Sequence, residues 1–360
     1  MRCVIAGGGT GGHLFPGIAI AEAFVEREAG NEVLFIGTER GIEMRVLAGG
    51  RFPLRTIRAM PLKGRSAGEK VKALGTLPVA VSESLSILKG FRPHLVVGVG
   101  GYASGPALLA AFLLGLRRVI HEQNMVPGMT NRFLKWFCQR IFVSFDETRR
   151  HFPEKKTRVT GNPIRKGFLD GLSPRKKTDR FTVLVFGGSA GAHRINEAVM
   201  EALEFLKEAR PFLRLIHQTG REDLEAVSKR YQEQGWDAIV RPFFEDMASQ
   251  YQASDLVVCR AGASTISELA VCGRGAILIP YPYAAHRHQL IQARRLSDLG
   301  ACRMIEDEDL RGDSLAGAIL HLRSHPEELT GMEEAIRKVG RPGAAREIVD
   351  HCYALIEESR

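Results

Sequence analysis

Leu256-Val-Val-Cys-Arg-Ala-Gly-Ala-Ser-Thr-Ile-Ser-Glu-Leu269 decides how the rest of the chain is read. Its first four residues are apolar and suit a buried parallel strand. Gly262 allows a tight turn, and Ala263, Ser264 and Thr265 are small enough for a ligand to approach the main chain. From Thr265 the apolar spacing turns helical, through Ile266, Leu269 and Ala270. A strand, a small-residue turn and a helix start make an anion site, because the first backbone N–H groups are unpaired and the helix dipole is positive there. On this reading Glu268 stands in the first turn, where a carboxylate can accept hydrogen bonds from sugar hydroxyls. The competing reading is a capping box, in which Thr265 and Glu268 satisfy only the helix's own amides.

The same pattern recurs along the chain. Arg2–Ala6 reads as a strand, Gly7-Gly-Gly-Thr-Gly-Gly-His13 as its turn, and Pro16 to Arg27 as an amphipathic helix. His94 to Val99 leads into Gly100-Gly-Tyr-Ala-Ser-Gly-Pro106, and Arg118 to Asn124 is a strand ending in His121, Glu122, Gln123 and Asn124. Gly161-Asn-Pro163 marks a domain edge, and Lys166 to Arg180 reads as surface loop or linker. The pattern then restarts: Phe181 to Phe186 is a strand, Gly187-Gly-Ser-Ala-Gly-Ala192 a turn, and a helix follows through Ile195, Val199 and Leu203. Two halves that alternate β and α, with glycine turns at strand ends, predict an α/β protein of two doubly wound, Rossmann-like domains facing a cleft. The expected bounds are residues 1–163 and 164–340, with a terminal helix over 341–360 packing back onto the first half.

Composition sets the wider limits. The 360 residues suit about two domains, and 44% hydrophobic with 25% charged residues is ordinary for a soluble globular protein. A formal charge of +9 points to an anionic partner: nucleic acid, a phosphorylated substrate or an acidic membrane surface. The basic residues gather between Arg51 and Lys72, where Lys63, Arg65 and Lys70 alternate with apolar residues such as Met60 and Leu62, and a helix follows through Leu77 and Leu88. This stretch reads either as a solvated face or as a surface for anionic lipid. The six cysteines are scattered without metal spacing and read as reduced core thiols. A strand starting at Arg2 leaves no room for a secretory signal, and the apolar run from Pro106 to Leu116 is shorter than the ~20 residues of a membrane span. No metal and no cofactor are expected.

Three motifs compete with this reading. Gly7, Gly9 and Gly12 satisfy G-x-G-x-x-G, but Glu39 lies further on than the acidic residue of a dinucleotide site. Gly187-x-Ser189-x-Gly191 matches a hydrolase nucleophile elbow, with Asp255 and His286 to complete a triad. Asp307-Glu-Asp309 resembles a metal-binding D-x-D, but precedes a helix, where acids favour the dipole. His13, a titratable group beside a glycine loop, suits general base work, though a helix-start histidine can also serve the backbone alone.

Taken together, Gly7 to His13, Gly98-Val-Gly-Gly-Tyr102, His121-Glu-Gln-Asn124, Gly161-Asn-Pro-Ile-Arg165, Gly187-Gly-Ser189 and Arg260 to Glu268 resemble the MurG family of glycosyltransferases, in order and over nearly the whole chain. The resemblance implies a GT-B fold with an N-terminal acceptor domain and a C-terminal donor domain. It implies inverting transfer of N-acetylglucosamine from UDP-GlcNAc to the C4 hydroxyl of the lipid I muramyl-pentapeptide, giving lipid II for peptidoglycan. Carried over by motif, Thr10, Gly11, Gly12, Asn124, Arg165, Ser189, Phe244, Ala263, Ser264, Thr265, Ile266, Ser267, Glu268 and Gln289 would line the donor site, with Arg260 as a further cation for the leaving diphosphate. His13, Tyr102, His121 and Glu122 would meet the acceptor, with His13 the first and Glu122 the second choice of base. The partners expected are UDP-GlcNAc, lipid I and the anionic cytoplasmic face of the bacterial membrane, held peripherally, and no nucleic acid. The alternatives are a serine hydrolase on Ser189 and a non-catalytic nucleotide-sugar binder. Ala190 and Ala284-Ala-His-Arg-His288 depart from the family pattern.

Overall fold

The computed structural model describes residues 1–39, 41–60, 75–170 and 179–358. The chain divides into two compact units, Met1–Arg165 with Pro342–Arg360, and Lys166–Arg341. Each is a parallel sheet covered by helices, as the alternation of apolar runs and glycine turns predicts.

In the first unit the strands are β1 (Arg2–Ala6), β2 (Glu32–Thr38), β3 (Leu54–Ile57), β4 (Leu95–Gly98), β5 (Arg117–Glu122), β6 (Arg140–Val143) and β7 (Thr157–Val159). Their order is β3-β2-β1-β4-β5-β6-β7, and every pair is parallel. In the second unit they are β8 (Phe181–Phe186), β9 (Leu213–Gln218), β10 (Ala238–Arg241), β11 (Leu256–Cys259), β12 (Ala276–Leu278) and β13 (Arg303–Met304). Here the order is β10-β9-β8-β11-β12-β13, again parallel throughout. Both orders reverse direction between two neighbouring strands, β1 and β4 in one unit and β8 and β11 in the other. At such a switch point the connections leave to opposite faces and open a crevice beyond the carboxyl ends of the strands. The quoted stretch is therefore β11 and the helix behind it, on one side of the second crevice.

The helix Ala344–Glu357 packs on the helix Gly11–Arg27. Its Ile348, Val349, Cys352 and Leu355 sit in the same core as Ile5, Leu14, Phe24 and Phe35, and the Tyr353 hydroxyl accepts from Asn31 Nδ2 at 2.7 Å. The tail thus completes the core of the first unit. All six cysteines are free thiols; burial pushes Cys138 and Cys302 up to about 12, which suits inert core residues.

Three local expectations are corrected, and one strand is added within the basic stretch. The first helix begins at Gly11, not Pro16, with Thr10 as its N-cap. Part of the basic stretch is an edge strand, β3, while Lys63, Arg65, Lys70 and Lys72 lie outside the described residues. The supposed linker opens with a helix, Lys166–Asp170, that buries Phe168 against Tyr251. The helix after β11 starts at Ala263 with Gly262 as N-cap and no side-chain cap, so the capping box does not form and Glu268 is not a first-turn group. Gly262 is already extended and takes the cap position, which moves Glu268 to the second turn.

The glycine turns interlock in pairs. Gly101 adopts φ +81°, and a Cβ there would lie 2.3 Å from the Gly8 carbonyl oxygen. In the second unit Gly191 adopts φ +84°, and a Cβ would lie 2.1 Å from the Thr219 oxygen. Only glycine combines this left-handed backbone with so close an approach. Side chains tie the turns down. Glu43, fully buried, accepts from Gly9 N and Thr38 N, both at 2.8 Å. Gln218 donates to the Gly188 carbonyl at 2.9 Å and accepts from Phe244 N at 2.8 Å. Asn196 Nδ2 donates to the Thr219 carbonyl at 2.9 Å, so its Oδ1 faces His217 Nε2 at 3.0 Å. Tyr231 Oη stands 3.0 Å from His217 Nδ1. These partners suit a neutral imidazole, and burial pushes its pKa down to about 3.

Two outcomes are expected. Gly101→Ala and Gly191→Ala should each lower the melting temperature at least twice as far as Gly49→Ala, which shares a positive φ of +69° but meets nothing within 4 Å; the control should lose only about 1–2 kcal/mol. Equal losses would mean that the interlock contributes nothing beyond backbone strain. The second concerns pH. His121, fully buried, is pushed down to about 4 and His217 to about 3, both below the roughly 6.5 of an unfolded histidine. Between those values the unfolded chain binds protons that the folded one refuses. The stabilisation is thus complete above about pH 6.5 and is lost as pH falls toward 4, by on the order of a few kcal/mol in total. Thermal unfolding followed from pH 7 to 4.5 should show this fall, and His217→Gln should make it shallower; an unchanged slope in that variant would contradict the assignment.

Candidate active site

In the first unit the crevice is bounded by the helix Gly11–Arg27 and by the loop after β4. The helix has no acidic residue in its first turn and no side-chain cap, so its positive end is not offset by its own side chains. Thr10 is exposed, and its carbonyl accepts from His13 N and Leu14 N at 3.2 and 3.1 Å. Gly11 and Gly12 form the first turn. His13 lies half-buried with Nδ1 3.2 Å from Gln123 Oε1. The Tyr102 ring, partly exposed, lies over Gly9. The Arg165 guanidinium sits 4.1 Å from the centre of the Phe15 ring.

His121 and Glu122, expected as acceptor ligands, are buried and engaged with the protein's own loops. They end β5, an inner strand covered on both faces, and both are buried. His121 Nε2 lies 3.1 Å from the Gly161 carbonyl, which holds the Gly-Asn-Pro turn. Glu122 accepts from Asn124 N, Gly128 N and Asn131 Nδ2 at 3.0, 3.1 and 2.9 Å. It also accepts from Asn124 Nδ2 at 3.2 Å. A carboxylate holding four donors braces the loop that presents Asn124; it is badly placed to take a proton from a substrate.

In the second unit Ser189 sits half-buried in the loop after β8, and the helix behind it starts only at His193. Ser189 is not among the positive-φ residues, whereas a nucleophile elbow is a sharp, strained turn. Asp255 accepts from Thr182 N at 2.6 Å, at the amino end of β8, whereas Ser189 follows its carboxyl end. No triad can form across the length of a strand, so the hydrolase alternative falls.

Opposite Ser189 stands the helix Ala263–Cys272, again without an acid in its first turn. Ser264 and Thr265 are half-buried, Ile266 is buried, and Ser267 Oγ donates to the Ala263 carbonyl at 2.9 Å. Glu268 is buried and accepts from the Tyr251 hydroxyl at 3.2 Å. Burial, with the Glu268 charge beside it, raises the Tyr251 hydroxyl well above its usual range, so it stays a donor. Arg260 is turned to Asp307 and to the carbonyls of Ile279 and Pro280. Its charge is thereby taken up within the fold, with Asp307 as its ion-pair partner. Gln289 Oε1 accepts from Tyr281 N at 2.9 Å, leaving its amide hydrogens to point elsewhere. Gln123, Glu43, Gln218 and Tyr251 carry much of this geometry, and sequence reasoning missed their roles because each acts across a long chain separation.

The model of the glycosyltransferase family 28 N-terminal domain matches residues 3–143, and that of the family 28 C-terminal domain matches residues 182–348. A relative from Myxococcus xanthus is 49% identical over 100% of this chain and 94% of its own length. One from Citrifermentans bemidjiense is 51% identical over 97% and 98%. Both are described as UDP-N-acetylglucosamine--N-acetylmuramyl-(pentapeptide) pyrophosphoryl-undecaprenol N-acetylglucosamine transferases. A solved structure of MurG from Acinetobacter baumannii matches with TM-score 0.74 and 31% identity over 99% of each chain. A UDP-GlcNAc 2-epimerase from Neisseria meningitidis shares the fold alone, at TM-score 0.70 and 12% identity over 98% of this chain and 100% of its own. With both units matched by its models and relatives this similar over almost their full length, the chain belongs to glycosyltransferase family 28, within the MurG family of N-acetylglucosaminyltransferases.

Proposed function

We propose that the protein transfers N-acetylglucosamine from UDP-GlcNAc to the C4 hydroxyl of a muramyl-pentapeptide carried on undecaprenyl pyrophosphate, with inversion. The observation that carries this reading is the second switch point, where the Gly187–Ala192 turn and the acid-free start of the helix Ala263–Cys272 flank one crevice. As the bond from the sugar to UDP breaks, its electron pair leaves with the diphosphate. Backbone amides around Ser189 and from Ala263 to Thr265 offset that charge, because they are fixed before the reaction begins. Glu268, oriented by Tyr251, accepts from the ribose hydroxyls. Gln289 offers its amide hydrogens to the sugar, since its oxygen is already engaged. Arg260 has no part here while it is held by Asp307. The attacking hydroxyl loses its proton to His13, and Tyr102 shapes the acceptor's surroundings, while Thr10, Gly11 and Gly12 keep the donor role that the motif implies.

The acceptor's lipid tail lies in a membrane, and among the described residues no helix is long and apolar enough to cross one. We infer that the protein meets the bilayer peripherally, from the cytoplasmic side, through the first unit. Leu113 and Trp136 are 66% and 68% exposed there, with Phe112, Met129 and Phe133 also exposed. Lys135 lies against the Trp136 ring and Arg118 against Phe112. Exposed aromatics suit a bilayer interface, and an exposed cation beside them adds about 1 kcal/mol at an anionic surface; Arg118 is itself buried and packs under Phe112.

Labelled UDP-GlcNAc with a soluble lipid I analogue should yield the disaccharide product. His13→Ala should cut turnover by roughly a hundredfold to ten-thousandfold with donor affinity unchanged. Wild-type protein that binds UDP-GlcNAc without transfer would leave a binding module instead. For the membrane surface, Leu113→Ser with Trp136→Ser should reduce sedimentation with phosphatidylglycerol vesicles while UDP-GlcNAc affinity stays the same. Unchanged sedimentation would remove this face from the account.

A further inference from the structure

We infer that Gln123 is a positioning residue that fixes the proton of His13 on Nδ1 and so leaves Nε2 as the base; the inference rests on the proposed role of His13. Gln123 is buried directly after β5. Its Nε2 donates to the Val99 carbonyl at 2.8 Å. A carbonyl oxygen only accepts, so this bond decides which way round the amide lies. The opposite end, Oε1, therefore faces His13 Nδ1 at 3.2 Å. Oε1 also only accepts, so Nδ1 must carry the hydrogen. A neutral imidazole has one N–H, and Nε2 is left with its lone pair.

The ring has little freedom to escape this arrangement. A Cβ on Gly100 would stand 2.8 Å from His13 Nδ1 and 2.9 Å from its Cε1, so the ring occupies space that only a glycine leaves. Val99, which orients Gln123, is itself tied to the first strand by Val99 N donating to the Ala6 carbonyl at 2.9 Å. The switch point of the sheet thus sets the tautomer of the base through one amide. During transfer the acceptor O–H bond breaks as its oxygen bonds to the sugar carbon, and the proton goes to Nε2. The bond from Nδ1–H to Gln123 persists throughout. Because the partner is a neutral amide, it selects a tautomer without strengthening the base, as a carboxylate in its place would do.

The test uses the full-length protein labelled with ¹⁵N histidine, together with steady-state kinetics. In the wild type at alkaline pH, ring nitrogen shifts of His13 should report Nδ1–H with an unprotonated Nε2. Gln123→Met keeps the volume but removes the acceptor. It should move the ring toward Nε2–H and lower kcat by about ten- to a hundredfold, with KM for UDP-GlcNAc unchanged. Gln123→Glu should instead shift the acid limb of the pH–rate profile to higher pH, since a carboxylate raises the imidazole pKa. A purely structural Gln123 would move neither the ring shifts nor that limb. Wild-type His13 with its proton on Nε2 overturns the inference even if neither variant folds, and so does a Gln123→Met ring that keeps Nδ1–H. His13→Ala separates the two ideas: near-normal turnover there removes the base itself, whereas an inactive His13→Ala beside unchanged Gln123 variants removes only the role of Gln123.

Discussion

Each sheet depends on a backbone-to-backbone contact between two glycine turns at its carboxyl end, Gly101 on Gly8 in one unit and Gly191 on Thr219 and Gly220 in the other. A parallel sheet ends in a row of strand termini whose amides and carbonyls have no further strand to pair with. At the switch point these termini diverge, and a side chain there would fill the gap. With glycine on both sides the turns close on each other and leave the neighbouring helix starts open. The same contact therefore holds the loops in place beside the helix starts, which is why one constraint serves both stability and the proposed chemistry.

Buried polar side chains do the remaining work, and they act on backbone more than on any ligand. Glu43 and Glu122 are both buried carboxylates, and each is held by several donors from a loop. Gln218 does the same with an amide, joining the Gly188 turn to Phe244. A carboxylate or amide inside a fold is costly unless its hydrogen bonds are made, so each of these groups fixes the loop that satisfies it. This explains how a chain with glycine at so many loop positions presents a defined crevice.

Much of the fold was legible in the sequence. Buried parallel strands read as apolar runs, and the glycine turns after β1, β4, β8 and β11 marked their ends. The strand β3 was not legible, because Arg55 and its neighbours alternate as an edge strand does and sit within a basic stretch. Pro16 hid the true start of the first helix, since proline usually stands at a helix start and here lies inside the helix, after two glycines. Glu268 was placed one turn early, because a Ser/Thr-x-x-Glu pattern does not say whether a preceding glycine has already taken the cap. The site was legible as a set of loops but not as a set of contacts. Nothing local marks Gln123 as the partner of His13, 110 positions away, or Tyr251 as the partner of Glu268. The Gly-x-Ser-x-Gly motif misled for the same reason, since only the backbone angles and the far-end position of Asp255 tell a loop from an elbow.

Both units carry a glycine turn and a helix start without an acid in its first turn, so either could in principle hold a diphosphate. The most direct test of the account is a crystal structure with UDP-GlcNAc bound. It should show the diphosphate oxygens within hydrogen-bonding distance of the amides around Ser189 and Ala263 to Thr265, with the ribose hydroxyls on Glu268. Density for the nucleotide in the first unit, against Gly9 to Gly12, with the second crevice empty, would contradict it.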